Sequence, residues 1–387
     1  MKICFLTYNI FSNGGVQRVI TTLANKLEKK NEVDVICTNV NYKKDYEKYK
    51  LSKNINIIYK ELNCDNTLTG KVLRKINDKI GFFNNSLGYK ILFKNQFETK
   101  SMNNLLKEIN SNNYDVIIGC EGDFCVLLGA IRDKLNVNKV IGWEHNSYDA
   151  YFNKSGKYYW NKDILFKKYI KNLDKHVVLT KNDKEKYSKH MGLESEVIYN
   201  PLSFTSNKKS NLKNKKILAV GRLTEQKGFD NLIKAFKIAT TCKAKDWQLE
   251  IVGDGDEFYK LKNLIKSLDL EKKVKISGFT NEIQEHFLES SIYAMSSNWE
   301  GFGLVVTEAL EFGVPVVSFK TTGPYEILNS YNCGEIVELG DLNTFAKKLE
   351  ELMINFEKRE EMSKCAVNRA KDFSIEKIIS MWERIFN

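Results

Sequence analysis

The sequence predicts an α/β protein with two doubly wound parallel sheets, each covered by helices. Short β-rich runs alternate with helical patterns along the whole chain, which is typical of the α/β class. Many of these runs are almost continuously apolar, as expected for strands buried on both faces of a parallel sheet. A chain of 387 residues also exceeds one typical core, which favours two domains.

The predicted elements follow one another in a regular order. Seven β-rich runs in the first half cover residues 2–10, 32–40, 55–62, 114–120, 139–146, 176–180 and 196–200. Six more cover residues 216–223, 247–255, 273–279, 292–297, 315–319 and 334–339. Segments between them, such as 16–30, carry apolar residues at helical spacing.

The series of strands restarts after a polar stretch rich in Lys, Asn and Ser. We therefore predict a first domain over residues 1–200, a linker over 201–214 and a second domain over 215–373. The amphipathic segment 374–387 is expected to cross back onto the first domain. Ligands of such sheets sit beyond the carboxyl ends of the strands, so two facing units would form a binding cleft between them.

Charge and cysteine content narrow the class of protein. The formal net charge of +11 favours a phosphate-bearing partner without choosing between nucleic acid, anionic lipid and nucleotide. The 8 cysteines form no CxxC pair, so a zinc site is not expected, and scattered thiols fit a reducing cytosol. Without a signal-peptide pattern or an apolar run of roughly 18 residues, the sequence predicts a cytoplasmic location.

Two candidate sites follow strands of the first half. Gly14 and Gly15 come after the first strand and before a helix, where a glycine turn can approach a phosphate or sugar closely. The same pattern equally describes a tight strand–helix turn. His145 ends the strand at 139–146, where a side chain faces the ligand crevice, although a structural histidine is an equal alternative.

Cations and carboxylates mark the loops of the second half. Arg222 and Lys227 follow its first strand, where a guanidinium and an ammonium could bind an anion, or simply lie in a solvated loop. Glu300 precedes a predicted helix and Glu308 lies in its second turn, so both could accept hydrogen bonds from sugar or ribose hydroxyls. Taken alone, this spacing also fits an ordinary surface helix.

Two further turns offer candidate positions for a phosphate and a metal. The N–H groups of Phe302, Gly303 and Leu304 at the helix start would suit a phosphate. Asp254 and Asp256 could hold a metal on a diphosphate, but their glycine-punctuated turn favours a structural role. No metal site is predicted.

Taken together and in order, these motifs resemble glycosyltransferase family 4. The matching segments are GGVQRV, EHN, VLTKND (178–183), YNP (199–201), VGRLTEQKGFD, IVGDGDE, SGF (277–279) and EGFGLVVTEALEFGVPVV. The resemblance implies two facing Rossmann-like domains, the GT-B fold, and a retaining hexosyltransferase that needs no metal or other cofactor. It also implies transfer of a hexose or N-acetylhexosamine from a nucleotide diphosphate sugar, a UDP-sugar by preference, to a lipid-linked or oligosaccharide acceptor in cell-surface glycan synthesis.

The same resemblance assigns roles to residues. Gly14 and Gly15 would lie near the phosphates and sugar of the donor, and Arg222 and Lys227 would hold the diphosphate. Glu308 would bind the ribose and Glu300 the hydroxyls of the transferred sugar, with His145 beside that sugar.

Residues 71–107 carry eight Lys or Arg, two acids and interleaved apolar residues. This run is either a solvated face or a peripheral contact with the anionic inner face of the cell membrane. Two rival functions also remain at this point: a nucleotide-sugar epimerase of the same fold, and a basic nucleic-acid-binding protein. The second lacks any recognisable nucleic-acid motif, so no nucleic-acid partner is predicted.

Overall fold

The chain divides into two compact units. The computed structural model describes residues 1–153, 158–241, 244–280 and 282–386. The N-terminal unit comprises Met1–Pro201 together with Ile375–Asn387, and the C-terminal unit comprises Leu202–Ser374.

The N-terminal unit contains a seven-stranded parallel sheet. Its strands are β1 (Lys2–Thr7), β2 (Glu32–Cys37), β3 (Asn56–Tyr59), β4 (Val116–Cys120), β5 (Lys139–Trp143), β6 (Lys175–Val178) and β7 (Glu196–Val197). Their order across the sheet is β3-β2-β1-β4-β5-β6-β7. All five residues of β4 are buried, as its central position between helical layers requires.

The described part of this unit has eight α-helices before the domain change. They are α1 (Gly15–Leu27), α2 (Leu68–Ile80), α3 (Tyr89–Gln96), α4 (Thr99–Ser111), α5 (Gly122–Ile131), α6 (Tyr148–Phe152), α7 (Asp163–Tyr169) and α8 (Lys181–Met191). In α1 the buried residues include Ile20, Leu23, Ala24 and Leu27, so helical periodicity places one apolar face against the protein interior.

The C-terminal unit repeats the plan with six parallel strands. These are β8 (Lys216–Val220), β9 (Gln248–Val252), β10 (Val274–Ile276), β11 (Ile292–Met295), β12 (Val316–Phe319) and β13 (Gly334–Val337), in the order β10-β9-β8-β11-β12-β13. Its helices are α9 (Phe229–Ala239), α10 (Phe258–Ser267), α11 (Ile283–Leu288), α12 (Leu304–Glu311), α13 (Thr322–Leu328), α14 (Leu342–Ile354) and α15 (Phe356–Ala370). Buried side chains of all six strands and of α9, α10, α14 and α15 form one core cluster.

Two segments near the domain change pack on different units. The last helix, α16 (Ile375–Phe386), belongs to the N-terminal unit, where Trp382 is fully buried and packs edge-on against Trp143 at 4.7 Å. The polar stretch predicted as a linker is packed on the C-terminal unit from Leu202 onward. There the carbonyl of the buried Leu212 accepts a hydrogen bond from Arg359 Nη2 at 3.0 Å.

The predicted fold class is confirmed, since each of the thirteen predicted β-rich runs contains or overlaps a strand of a parallel sheet. Most observed strands end earlier than predicted, and the surplus residues form loops at the carboxyl ends. Within the described ranges, no helix has both the length and the apolar character needed to cross a bilayer.

Candidate active site

The strand order locates a ligand crevice in each unit. In each unit the first strand lies between the second and the fourth. Later strands are therefore added on the opposite side of the first strand, and this reversal of strand order falls between β1 and β4 and between β8 and β11. Ligands of doubly wound sheets bind beyond the carboxyl ends of the strands at such a reversal. The predicted residues of the C-terminal unit lie between β8 and α9, between β11 and α12 or, for Leu304 and Glu308, in α12 itself.

Lys227 and Glu300 come together at this place. Lys227 ends a single 3-10 turn, Glu225–Lys227, and Glu300 lies in the loop after β11. The Nζ atom of Lys227 lies 2.6 Å from Oε2 of Glu300, and each side chain is only 14% exposed. The two residues are 73 positions apart in the sequence. They come together because β8 and β11, the strands before their loops, are neighbours in the sheet.

Backbone contacts hold the two loops at this distance. The N–H of Asn298 donates to the carbonyl of Gln226 at 2.8 Å, and Gln226 Nε2 donates to the carbonyl of Trp299 at 3.1 Å. A Cβ atom added to Gly228 would lie 2.4 Å from the carbonyl oxygen of Ser296. Only glycine therefore permits this close approach. The approach in turn fixes the position of the preceding residue, Lys227.

Arg222 lies in the same loop but is exposed, and no hydrogen bond or ion pair of its side chain occurs within the described residues. Its backbone rests on the turn after β9. The N–H of Gly221 donates to the carbonyl of Val252 at 3.0 Å, and the N–H of Leu223 donates to the carbonyl of Asp254 at 2.9 Å. These hydrogen bonds hold the loop in place, and the exposed guanidinium of Arg222 is accessible to an anion.

The turn containing Asp254 and Asp256 has a structural function. A Cβ atom on Gly253 would lie 1.9 Å from the carbonyl oxygen of Gly221, so this turn packs directly on the loop that carries Arg222. The side chain of Asp254 accepts a hydrogen bond from the N–H of Gly255 at 2.8 Å. In the part of the chain that the structure describes, no group of three or more His, Cys, Asp or Glu is placed to hold a metal ion.

Helix α12 supplies backbone donors and a second carboxylate. Gly303 is its N-cap and Leu304 its first residue, and the N–H groups of both lack an acceptor among the described residues. Phe302 before them is buried and packs against Phe373. Glu308, in the second turn, is 1% exposed. Burial raises the pKa of Tyr293 in β11, and the carboxylates of Glu300 and Glu308 raise it further.

The N-terminal unit places its predicted residues at the carboxyl ends of β1 and β5. Gly14 is the N-cap of α1, its N–H donates to Oη of Tyr49 at 3.2 Å, and Gly15 begins the helix. His145 follows β5, with its ring packed on Trp143 at a centroid distance of 4.2 Å. The Nε2 atom of His145 is buried without a hydrogen-bond partner in the described part of the chain. Burial lowers the pKa of His145 to about 3, so its imidazole is neutral at physiological pH.

Comparison with known proteins decides the family. Residues 13–204 match the model for Glycosyltransferase Family 4, and residues 203–369 match the model for Glycosyl transferases group 1. An uncharacterized glycosyltransferase of Haemophilus influenzae is 32% identical over 392 aligned residues, which cover 99% of both chains. The chain belongs to glycosyltransferase family 4.

Two further known proteins are similar to this glycosyltransferase. The amylovoran biosynthesis glycosyltransferase AmsD of Erwinia amylovora is 30% identical over 55% of this chain and 62% of its own length. The crystal structure of a Staphylococcus aureus TarM variant in complex with fondaparinux, alpha-GlcNAc-glycerol and UDP superposes with a TM-score of 0.75 at 15% identity. It covers 100% of this chain and 99% of TarM, which supports the GT-B fold.

Sequence reasoning missed one residue at the crevice of the N-terminal unit of this glycosyltransferase. Glu121 follows β4, next to β1, with a φ of 82° that is unusual for a residue with a side chain. Its carboxylate makes no hydrogen bond among the described residues. Burial, with the nearby carboxylates of Asp123 and Glu144, raises the pKa of Glu121 to about 7. A lone Glu after a predicted strand gave no signal, because the strain and the neighbours arise only on folding.

Proposed function

We propose that this glycosyltransferase moves a hexose or N-acetylhexosamine from a UDP-sugar to a growing, lipid-linked cell-surface glycan with retention of anomeric configuration. The single observation that carries the proposal is the paired Lys227 and Glu300 beside the free N–H groups of α12, at the reversal of the second sheet. This arrangement joins positive charge for a diphosphate with a carboxylate for sugar hydroxyls.

Positive charge would stabilise the leaving group. As the sugar–phosphate bond breaks, negative charge develops on the departing UDP. The Lys227 ammonium, the Arg222 guanidinium and the N–H groups of Gly303 and Leu304 would meet this charge. Donors held in advance at such a place contribute roughly 3–4 kcal/mol each to the transition state. In other sites a bound metal cation stabilises such negative charge. Here the ammonium, the guanidinium and the N–H groups would stabilise it, so we propose transfer without a metal.

The Lys227–Glu300 ion pair would give both residues one role before the donor binds and a second role once it is bound. Without donor, each neutralises the other in a largely enclosed position. With donor, the ammonium would turn to the diphosphate while the carboxylate accepts hydrogen bonds from the sugar hydroxyls. Glu308, almost fully buried in α12, would accept the ribose hydroxyls.

We propose ligand contacts for the N-terminal unit as well. Gly14 and Gly15 would let the start of α1 approach a phosphate or sugar, and the neutral His145 would contact a sugar. The acceptor hydroxyl would form its bond to the anomeric carbon on the face that UDP leaves. A diphosphate oxygen would take the hydroxyl proton, so no additional base is needed.

The choice of donor and acceptor draws on named relatives. The TarM complex contains UDP and alpha-GlcNAc-glycerol, and AmsD is named for amylovoran biosynthesis. A uridine nucleotide and a glycan acceptor are therefore the first ligands to test. We place the enzyme in the cytoplasm, at the inner face of the cell membrane, where a lipid-linked acceptor would be found.

Thermal-shift measurements with UDP, UDP-glucose, UDP-N-acetylglucosamine and GDP test the donor, since a ligand of the folded state raises the melting temperature. Lys227→Ala should lower kcat by roughly 100- to 1,000-fold. The matched control is Lys234→Ala, which removes an ammonium paired with Asp230 on α9. Full activity of Lys227→Ala would refute the assignment.

Product analysis checks the remaining features of the proposal. We expect transfer only when an acceptor is present, an α-linked product from an α-linked donor, and unchanged turnover in EDTA. Release of an epimerised nucleotide sugar without acceptor would contradict the transferase proposal and favour an epimerase. Loss of turnover in EDTA would contradict metal independence alone.

A further inference from the structure

Helix α2 of the N-terminal unit is anchored to the protein by polar residues. Arg74 Nη1 donates to the carbonyl of Asp65 at 2.6 Å and to Oδ1 of Asn95 at 3.1 Å. Asn77, 1% exposed, donates from Nδ2 to the carbonyl of Asn161 at 2.8 Å. Its Oδ1 accepts from the N–H of Phe83 at 3.0 Å. The inward face of this helix therefore carries the polar Arg74 and Asn77, with the buried Gly70 and the half-buried Leu73 beside them.

The apolar residues of α2 point away from the protein. Leu68, Val72, Ile76 and Ile80 are spaced by four, so they form one row along the helix. They are 82%, 55%, 38% and 65% exposed. Phe82 and Leu87, in the turn before α3, are 62% and 90% exposed. We name these six residues the apolar ridge.

The apolar ridge is too concentrated to be ordinary surface. It contains six of the 19 large apolar side chains that are exposed in the described chain. Scattered apolar residues are normal on a protein surface, whereas a contiguous row marks an interaction site.

A row of lysines runs beside the apolar ridge. Lys71, Lys75 and Lys79 are also spaced by four, so they form a second row along α2. All three are exposed, and none has an ion pair within the described residues. On α3, Lys90 and Lys94 add two more exposed ammonium groups, and Asp78 is the one acid in α2.

We propose that the apolar ridge and its lysine row dock this unit on an anionic lipid surface. Apolar side chains would enter the boundary between headgroups and acyl chains, while the ammonium groups would lie at the level of lipid phosphates. A second copy of this chain fits less well, because a two-fold contact through the ridge would bring two lysine rows together. The inference rests on the proposed function for its purpose, which is access to a lipid-linked acceptor.

Vesicle co-sedimentation tests the proposal without any transfer reaction. We expect the wild-type protein to bind vesicles of equal parts phosphatidylglycerol and phosphatidylcholine at low salt. Binding should weaken at high salt, because screening reduces the attraction of exposed lysines, and also on pure phosphatidylcholine.

Two sets of variants separate the charge from the apolar contribution. The triple variant Lys71→Gln, Lys75→Gln, Lys79→Gln should lower the partition coefficient about 100-fold. The double variant Val72→Ser, Ile76→Ser should lower it about 10-fold or more. The control is Tyr259→Ser with Leu339→Ser, which alters two exposed apolar residues of the C-terminal unit and should bind as the wild type does.

Three outcomes would overturn the proposal. They are absence of wild-type binding to the anionic vesicles at low salt, unchanged binding by both the lysine variant and the ridge variant, and a lipid-free dimer that the ridge variant Val72→Ser, Ile76→Ser converts to monomer. The last outcome would assign the ridge to a second copy. The UDP thermal shift, measured on the same variants, should remain at the wild-type value, so a failure of docking is distinguishable from a failure of the proposed transferase function.

Discussion

At the scale of single residues, His145 shows how packing selects one protonation state. An unperturbed histidine titrates near pH 6.5. Burial against Trp143 lowers the pKa of His145 to about 3, because the charged imidazolium would lose its hydration. A neutral ring keeps one nitrogen as donor and the other as acceptor, which suits contact with a sugar hydroxyl.

We predict that the Cε1–H resonance of His145 does not titrate between about pH 5 and about pH 8, unlike a solvated histidine. Nuclear magnetic resonance of the four histidines measures this directly. The spectrum of His145→Gln identifies the resonance by its disappearance. A titration midpoint between about pH 6 and pH 7 would show that the ring is hydrated rather than buried.

Lys227 and Glu300 show which features of the candidate site could be predicted from sequence motifs and which could not. Their loops were recognisable from the sequence, and a role for each could be predicted. Their contact could not, because it depends on the pairing of β8 with β11 and on the hydrogen bonds of Gln226 and Asn298. An ion pair of this kind exists only when distant loops are held in register.

At the scale of elements, the glycine turn after β9 supports the loop after β8. Gly253 faces the carbonyl oxygen of Gly221 so closely that any side chain would displace the loop of Arg222. The turn is therefore a brace for the candidate diphosphate site, although its residues need not contact a ligand.

We predict that Gly253→Ala destabilises the C-terminal unit by about 2–3 kcal/mol through overpacking and weakens UDP binding. Urea unfolding and the UDP thermal shift measure the two effects. The control is Gly340→Ala in the same unit, where φ is also positive but no atom lies within 4 Å of the added Cβ. It should cost about 1 kcal/mol and leave UDP binding unchanged. Equal effects of the two substitutions would argue against the brace.

In helix α2 the apolar face is exposed, whereas an amphipathic pattern usually indicates that the apolar face is buried. Its apolar residues recur at helical spacing, which by itself predicts a face buried in the protein. The hydrogen bonds of Arg74 and Asn77 instead turn the polar face inward. Which face of a helix is buried depends on partners elsewhere in the chain, so the sequence left a solvated face and a membrane contact as alternatives for residues 71–107.

At the scale of the whole molecule, carboxyls that are partly or fully buried make the stability of the N-terminal unit depend on pH. Burial raises the pKa of Glu121 to about 7 and the pKa values of Asp123 and Asp183 to about 6. The folded state thus holds protons that the unfolded state has already released. Stability contributed by these groups is present at low pH and is lost as the pH rises through the folded pKa. His145, with its lowered pKa, acts in the opposite direction below about pH 6.5.

We predict that Glu121→Gln, which removes the charge without removing any hydrogen bond of the described residues, raises the melting temperature at pH 8. The expected gain is roughly 2–4 °C in the transition of the N-terminal unit. It should vanish below about pH 4.5, where the carboxyl is protonated in both states. Calorimetry measures it, with UDP used to identify the transition of the other unit. Glu194→Gln, at an exposed position, is the control, and a gain that is equal at all pH values would contradict the charge argument.

The sequence by itself determined the α/β class, the thirteen strands and the loops that carry the candidate site. These features depend on local periodicity and on glycine, charge and polarity at strand ends, all of which can be read within short windows. Glycosyltransferase family 4 was recognisable for the same reason, since its motifs are contiguous.

Only the tertiary structure decided which strands are neighbours, that Lys227 meets Glu300, that Glu121 is strained and enclosed, and that α2 exposes its apolar row. Each of these depends on hydrogen bonds and packing between residues far apart in the chain. Local sequence does not encode such pairings separately, because their free energy is realised only when the whole sheet has formed.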